Sequence, residues 1–268
     1  MPLISVIINA DTRQGYLSEK STVGDFGQGS LQGVRSVDLL TEGVKNKMKF
    51  FEGYDTRCVL IIDQHEPLSD SLFMEINELV KSYGNDSKLI VKTFDHESWK
   101  WNDKLYIESL KYATGDYTVH FDNDCCAYKK EGFDIVDGYM KLLDAGYKYI
   151  CQPWDRIGDD MYWSSTRFFI CKTETLNLPL IEQHIYTSPL MGKHNPCYEH
   201  TAGILAGEGK VLYPPRDDDN YIIFCWASYF SGLMKYLNEL PYEEVIKYLT
   251  DCGLFGTHDI ICKPINNE

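Results

Sequence analysis

No apolar run in this 268-residue chain approaches the ~20 residues that a membrane-spanning helix needs, so nothing in it reads as a span. The apolar start, Met1 to Asn9, is too short for the core of a secretory signal and has no basic stretch before it. Positive charge is scarce: 26 Lys and Arg stand against 40 Asp and Glu, a formal net charge of −14. Such a surface repels polyanions and argues against nucleic acid and anionic lipid as partners. The nine cysteines are odd in number and lack the paired spacings of metal ligands; Cys125 and Cys126 are adjacent and the rest are scattered. That pattern points to reduced, buried thiols rather than a disulfide framework, with the cytoplasm as the expected setting. Internal repeats and low-complexity tracts are also missing.

What is present is ample core material. The 44% hydrophobic content can bury one large domain. Aromatic residues make up 13%, and their flat faces and polar edges suit either stacking on sugars and bases or ordinary core packing.

The most informative stretch is Tyr117-Thr118-Val119-His120-Phe121-Asp122-Asn123-Asp124, an apolar strand running into two aspartates one residue apart. Residues i and i+2 of an extended segment point the same way, so Asp122 and Asp124 can converge just beyond the strand end. Two such carboxylates repel unless a cation sits between them, and a hard divalent ion with oxygen ligands answers that need. Ala113-Thr114-Gly115-Asp116, just before, reads as a helix end and glycine turn feeding the strand. The alternative for a bare Asp-x-Asp is a solvated structural turn.

The first half alternates strand and helix. Leu3 to Asn9 and Arg57 to Asp63 are continuous apolar runs, as expected of parallel strands buried on both faces. Helical spacing covers 34–51, 72–83 and 102–113, with a strand over Lys88–Lys92. Strands separated by helices predict an α/β architecture around a mostly parallel sheet. Ligands of such sheets gather at the carboxyl ends of the strands, where Asn9 to Asp11, Asp63 and Asp122 to Asp124 all fall. The second half is less regular: a helix over 133–145, strands over 147–152, 167–172 and 211–213, and a buried helix over 222–240 are expected. Asp217-Asp218-Asp219 reads as a solvated loop. The whole is read as one domain over residues 1–268.

This order of elements resembles the GT-A glycosyltransferases, especially the family 2 type. Ile4 to Asn9 followed by Asp11-Thr12-Arg13 looks like that family's first strand and nucleotide-contacting loop. Val59 to Asp63 looks like its second strand, ending in an acid that meets base or ribose. Trp101-Asn102-Asp103-Lys104 through Gly115-Asp116 to Asp122-Asn123-Asp124 is similar to its helix, Gly-Asp turn and Asp-x-Asp strand. Tyr198-Glu199-His200, then Gly209-Lys210-Val211, resembles the acidic motif before its last core strand. The resemblance covers most of Leu3 to Pro215. It implies a GT-A-like, Rossmann-related sheet flanked by helices, with an elaborated C-terminal half. Two patterns depart from it: the first loop lacks Pro-x-x-Asn and carries a long insert from Gln14 to Gly33, and the later acid pair is here Glu199 followed by His200.

The resemblance further implies a nucleotide-sugar donor, on family grounds a UDP-sugar, bound in the half 1–124, and a glycan or other hydroxyl acceptor bound in the half 125–268. Mn²⁺ or Mg²⁺ is the implied cofactor. Asp124 is the direct metal ligand, and Asp122 serves either metal or ribose. Asn9, Asp11, Asp63, Lys104 and Asn123 fall to the donor; Asp63 is otherwise a turn-capping acid. Arg13 either contacts phosphate or solvates the loop. Glu199 is the base that deprotonates the acceptor in an inverting transfer, or else a helix-start acid favoured by the dipole. Asp155, in Trp154-Asp155-Arg156, is the second candidate. Trp154 and Trp163 offer a stacking floor for a sugar or fill the core. His258 near the C-terminus, or His200, completes the metal shell, imidazole suiting Mn²⁺ better than Mg²⁺.

Several other chemistries compete. A retaining transferase would share every donor feature. A haloacid-dehalogenase-type phosphotransferase also uses a strand and Asp-x-Asp, but near the N-terminus and followed by Ser or Thr; here Cys125-Cys126 follow. A sugar nucleotidyltransferase would carry a basic, glycine-rich phosphate loop straight after the first strand. Gly27 to Gly33 comes well past it and holds no Lys or Arg. An inactive glycan-binding module could keep the fold without the chemistry, although the acidic pair with Asp63 and Glu199 argues against decay.

Overall fold

The structure, a computed structural model, describes residues 1–11, 38–64, 67–94, 103–123, 125–156, 162–176, 178–179, 210–212, 217–218, 221–224 and 233–251. The first half follows the alternation expected of it: β1 (Leu3–Asp11), α1 (Asp38–Phe50), β2 (Asp55–Asp63), α2 (Asp70–Ser82), β3 (Lys88–Lys92), α3 (Asp103–Leu110) and β4 (Tyr117–Asp122). Then come β5 (Cys126–Lys129), α4 (Ile135–Asp144), β6 (Tyr147–Arg156), β7 (Tyr162–Lys172), β8 (Lys210–Leu212), β9 (Asp217–Asp218), β10 (Tyr221–Phe224), α5 (Leu233–Glu239) and α6 (Tyr242–Asp251). None of the described helices is long and apolar enough to cross a membrane.

Among the described residues, seven strands form one sheet in the order β3-β2-β1-β4-β7-β6-β8. β3, β2, β1 and β4 pair in parallel, β7 runs against both its neighbours, and β6 pairs with β8 in parallel. This is a mostly parallel, GT-A-like sheet flanked by helices. A smaller antiparallel sheet has the order β5-β10-β9.

The apolar runs are continuous because both faces are covered. From β1, Ile4, Val6, Ile8 and Ala10 join one core with Leu60, Ile62, Val119, Phe121 and the α1 residues Leu40, Val44 and Met48. Ile7 points the other way and packs with Val59, Ile61 and Leu105 of α3. The turn before β4 shows why a glycine stands at 115. A Cβ there would lie 2.9 Å from the Leu3 carbonyl carbon and closer still to its oxygen. The turn is stitched to β1 by the Asp116 N–H donating to the Leu3 carbonyl (2.7 Å) and the Gly115 N–H donating to Ser5 Oγ (3.0 Å). That stitching sets the register Ile4↔Tyr117 through Asn9↔Asp122.

Two expectations for the second half need correction. Of the helix expected over 222–240, the start is instead a strand, β10, pairing antiparallel with β5 from Tyr221↔Lys129 to Phe224↔Cys126, while Leu233–Glu239 is helix as expected. Asp217 and Asp218, read as loop, form the short strand β9 against Tyr221 and Ile222.

Candidate functional site

The parallel strands bring their polar ends to one edge. Asn9 lies opposite Asp122 on one side and Ile61 on the other, and Asp11 lies opposite Asp63. Parallel partners share a face, and Asn9 is two residues beyond Ile7. Asn9, Asp63 and Asp122 therefore stand on the face that α3 covers, in adjacent strands spaced about 4.8 Å apart. Asp122 is the last residue of β4, so it is placed by the sheet itself rather than by the turn beyond it.

Asp122 and Asp63 are each oriented by a donor. The Tyr106 hydroxyl of α3 donates to Asp122 Oδ1 at 2.7 Å, a bond to a charged acceptor of the kind contributing about 1.5–3 kcal/mol. Tyr106 is positioned in turn by the buried His120, ring centroids 5.0 Å apart, and His120 stacks on Phe169 of β7 at 5.3 Å. Asp63, fully buried, accepts the Phe94 N–H through Oδ1 at 3.1 Å, so it caps the chain leaving β3 as well as facing the edge. Asn9 is different. Only 4% of it is exposed, and neither polar atom of its side chain has a hydrogen-bond partner. A buried amide is ordinarily satisfied, and one left unsatisfied at a sheet edge is a place for a polar ligand group.

The turn after β4 is held from beneath. The Cys125 N–H donates to the Asp122 carbonyl (3.0 Å), and the Asn123 N–H donates to the Asn9 carbonyl (2.7 Å). The Asn123 side chain lies against Gly43 of α1, where a Cβ would stand 3.0 Å from the Asn123 carbonyl oxygen. Lys47 of α1, fully buried, donates from Nζ to the carbonyls of Asn123 (2.9 Å), Cys125 (2.5 Å) and Gly43 (3.2 Å). Its neighbour Asn46 grips Ala127 of β5 by both backbone groups, accepting its N–H (2.8 Å) and donating to its carbonyl (3.1 Å).

The remaining expected site residues divide in two. Asp11 sits at the end of β1, Lys104 in the first turn of α3, Trp154 and Asp155 near the end of β6, and Trp163 at the start of β7. Arg13, Asp124, Glu199, His200 and His258 lie outside the described residues. Sequence reasoning missed Tyr106, His120 and Lys47. The signal for Lys47 was available: with Leu40, Val44 and Phe51 it completes an apolar spacing that a surface lysine would not share.

Among the described residues, no group of three or more His, Cys, Asp or Glu could hold a metal ion. A hard ion bound through one or two carboxylates and a substrate's phosphates needs no such trio. The half-buried carboxylate of Asp122, already oriented by Tyr106, fits that donor chemistry. A cleft of about 990 Å³ opens away from this edge, lined by Met1, Pro2, Phe50, Tyr54, Lys130 and Tyr242 among others. Two of its polar groups are engaged: the Tyr54 hydroxyl donates to Asp134, and Lys130 Nζ lies 5.9 Å from the Tyr242 ring centroid.

No protein-family model matches the sequence, and neither does any curated protein. Solved structures do superpose on the fold. A putative glucose-1-phosphate thymidylyltransferase from Bacillus anthracis is 12% identical with a TM-score of 0.53, over 89% of this chain and 97% of that one. A UDP-glucose pyrophosphorylase from Acinetobacter baumannii is 10% identical with a TM-score of 0.51, over 94% of this chain and 100% of that one. The mannosyltransferase PcManGT from Pyrobaculum calidifontis, in complex with GDP-Man and Mn²⁺, is 16% identical with a TM-score of 0.48, over 80% of this chain and 55% of that one. This chain thus spans little more than half the length of that mannosyltransferase. What the first two superpositions share with the chain is its fold, the GT-A-like sheet of nucleotide-sugar enzymes.

Proposed function

We propose that this chain is a metal-dependent glycosyltransferase of GT-A type, a single catalytic domain that moves a sugar from a nucleotide-diphosphate sugar to a hydroxyl of a glycan or other acceptor. The observation that carries the reading is Asn9, a buried side-chain amide without a protein partner, set between β2 and β4 at the strand edge where Asp63 and Asp122 also end. An amide offers a donor and an acceptor together, the pairing that a nucleobase or ribose edge presents.

In this reading Asn9, Asp11 and Asp63 meet the base and ribose of the donor, with UDP the favoured nucleotide. Arg13, Lys104 and Asn123 belong to the donor side as well. Asp122 and Asp124 would hold Mn²⁺ or Mg²⁺, with His258 or His200 completing the set. Bound there, the ion would offset charge growing on the leaving diphosphate as a Lewis acid. Tyr106 fixes the Asp122 carboxylate by its hydrogen bond. Glu199 takes the proton of the acceptor hydroxyl, which makes the transfer inverting, with Asp155 as the second candidate base. Trp154 and His200 line the acceptor side. A cytoplasmic setting completes the reading, supported by the buried, unbridged thiol of Cys58.

Sugar nucleotidyl transfer is the second reading, because the two better-superposing structures carry names of that kind. The lack of a basic, glycine-rich loop directly after β1 weighs against it. Calorimetric titration of UDP, GDP and CMP with and without Mn²⁺ tests the first reading. Binding of one nucleotide only when Mn²⁺ is present is expected; no binding of any of the three would overturn it. Exchange of labelled pyrophosphate into a nucleotide sugar would instead establish the second.

A further inference from the structure

Helix α1 places a lysine where its spacing calls for an apolar side chain. A buried ammonium is costly unless all of its hydrogens are used. Lys47 uses all three, on the carbonyls of Gly43, Asn123 and Cys125. The Phe121 ring centroid lies 5.7 Å from Nζ. Two of the three acceptors flank position 124, and their amides close the same turn onto Asp122 and onto Asn9. The ammonium therefore grips the acidic turn through its backbone, on the side away from Asp122's partner Tyr106.

We propose that Lys47 is a positioning residue: an internal cation that fixes the backbone on both sides of position 124 before any ligand arrives. Its purpose rests on the transferase reading above. Its structural effect does not, and the two can be separated. A buried positive charge near a cation site would by repulsion weaken metal binding, so its removal would tighten it. A residue that preorganises the ligand turn acts in the opposite sense, and its removal loosens binding.

The test is amide hydrogen exchange on the metal-free full chain, read at Asn123 and Cys125, beside titration of Mn²⁺ with UDP or GDP. It compares wild type, Lys47→Met and Gly43→Ala. Lys47→Met removes the ammonium at similar length. Gly43→Ala keeps the ammonium and pushes a methyl into Asn123. In both variants, exchange at the two amides is expected to rise at least about tenfold while β1 and β2 keep their rates. Metal-dependent nucleotide affinity is expected to fall about 10–100-fold, the usual cost of losing support behind a ligand. Unchanged exchange at the two amides, or faster exchange spread evenly over the sheet, overturns the proposal. So does tighter metal binding by Lys47→Met. If Lys47→Met does not fold, Gly43→Ala decides by the same readouts. Wild-type protein that binds no metal–nucleotide pair, while the exchange difference stands, would sink the transferase reading and leave the role of Lys47 in place.

Discussion

From β3 to β4 the large sheet is parallel and in unbroken register, with nine consecutive partners between β1 and β2. From β7 to β8 the strand direction changes, and β6 slips register on both sides of Pro153. Proline has no N–H to give a ladder and belongs at bulges, so the slip follows from the sequence Gln152-Pro153-Trp154. The contrast has a functional meaning. Parallel strands all end on one edge, so each contributes a polar terminus to the same crevice. Antiparallel neighbours end on opposite edges and cannot converge in that way. Trp154 and Asp155 come after the slip, where β6 no longer inherits its alignment from the parallel half.

The comparison breaks most sharply if donor and acceptor functions fail to separate between the halves. Asp124→Ala is expected to abolish metal-dependent donor binding while the far-ultraviolet circular dichroism stays that of wild type; unchanged turnover would remove Asp124 from the metal site. Glu199→Gln should leave donor affinity near wild type and lower turnover by about two to four orders of magnitude, the span of a lost general base. Preserved turnover would take Glu199 out of the mechanism.

Smaller perturbations sharpen the contrast within the parallel half. Gly115→Ala forces a methyl against the Leu3 carbonyl, a backbone group that cannot swing aside. Urea denaturation should show a loss of about 1–3 kcal/mol, as for other overpacked sites; an unchanged midpoint would mean that the turn is not what pins β4 to β1. Tyr106→Phe keeps the ring on His120 and deletes the hydroxyl's bond to Asp122. Metal-dependent nucleotide affinity should fall by about tenfold or less, with stability little altered. The smallest effect is chemical. Burial pushes the Cys58 thiol up to about 12, against the pull of the nearby Lys47 charge. The native thiol thus holds its proton more tightly than the unfolded one. Its contribution to stability is full below about pH 9 and declines as the pH rises above that. At pH 8 a disulfide reagent should leave Cys58 unmodified until the chain is unfolded, as read by peptide mass.

The parallel half was legible because its signals are local. A strand buried on both faces writes itself as an unbroken apolar run, and Thr114-Gly115-Asp116 marks the turn where the chain presses on β1. The strand-end acids followed from the same runs. The small sheet was not legible. Ile222-Ile223-Phe224 is a short apolar run, which periodicity alone cannot assign to strand or helix. Its status as strand is decided by Cys126–Lys129, nearly a hundred residues earlier in the chain. Lys47 is a similar case. Its position in the helix was visible, but the carbonyls that justify it come from the backbone 76 and 78 residues later, where side-chain identity carries no hint.

Asn46 and Lys47 also bear on the order in which the molecule can be completed. Asn46 meets Ala127 and the Asn238 side chain of α5, so α1 draws on partners synthesised 81 and 192 residues after it. During translation, α1 carries an amide whose Ala127 and Asn238 partners are not yet made, and an ammonium that has the Gly43 carbonyl but not yet those of Asn123 and Cys125. A nascent chain stopped short of Cys125 is therefore expected to leave α1 undocked, with its apolar stripe open to chaperones. Release of the segment 123–127 would act as the latch that lets the N-terminal layers close.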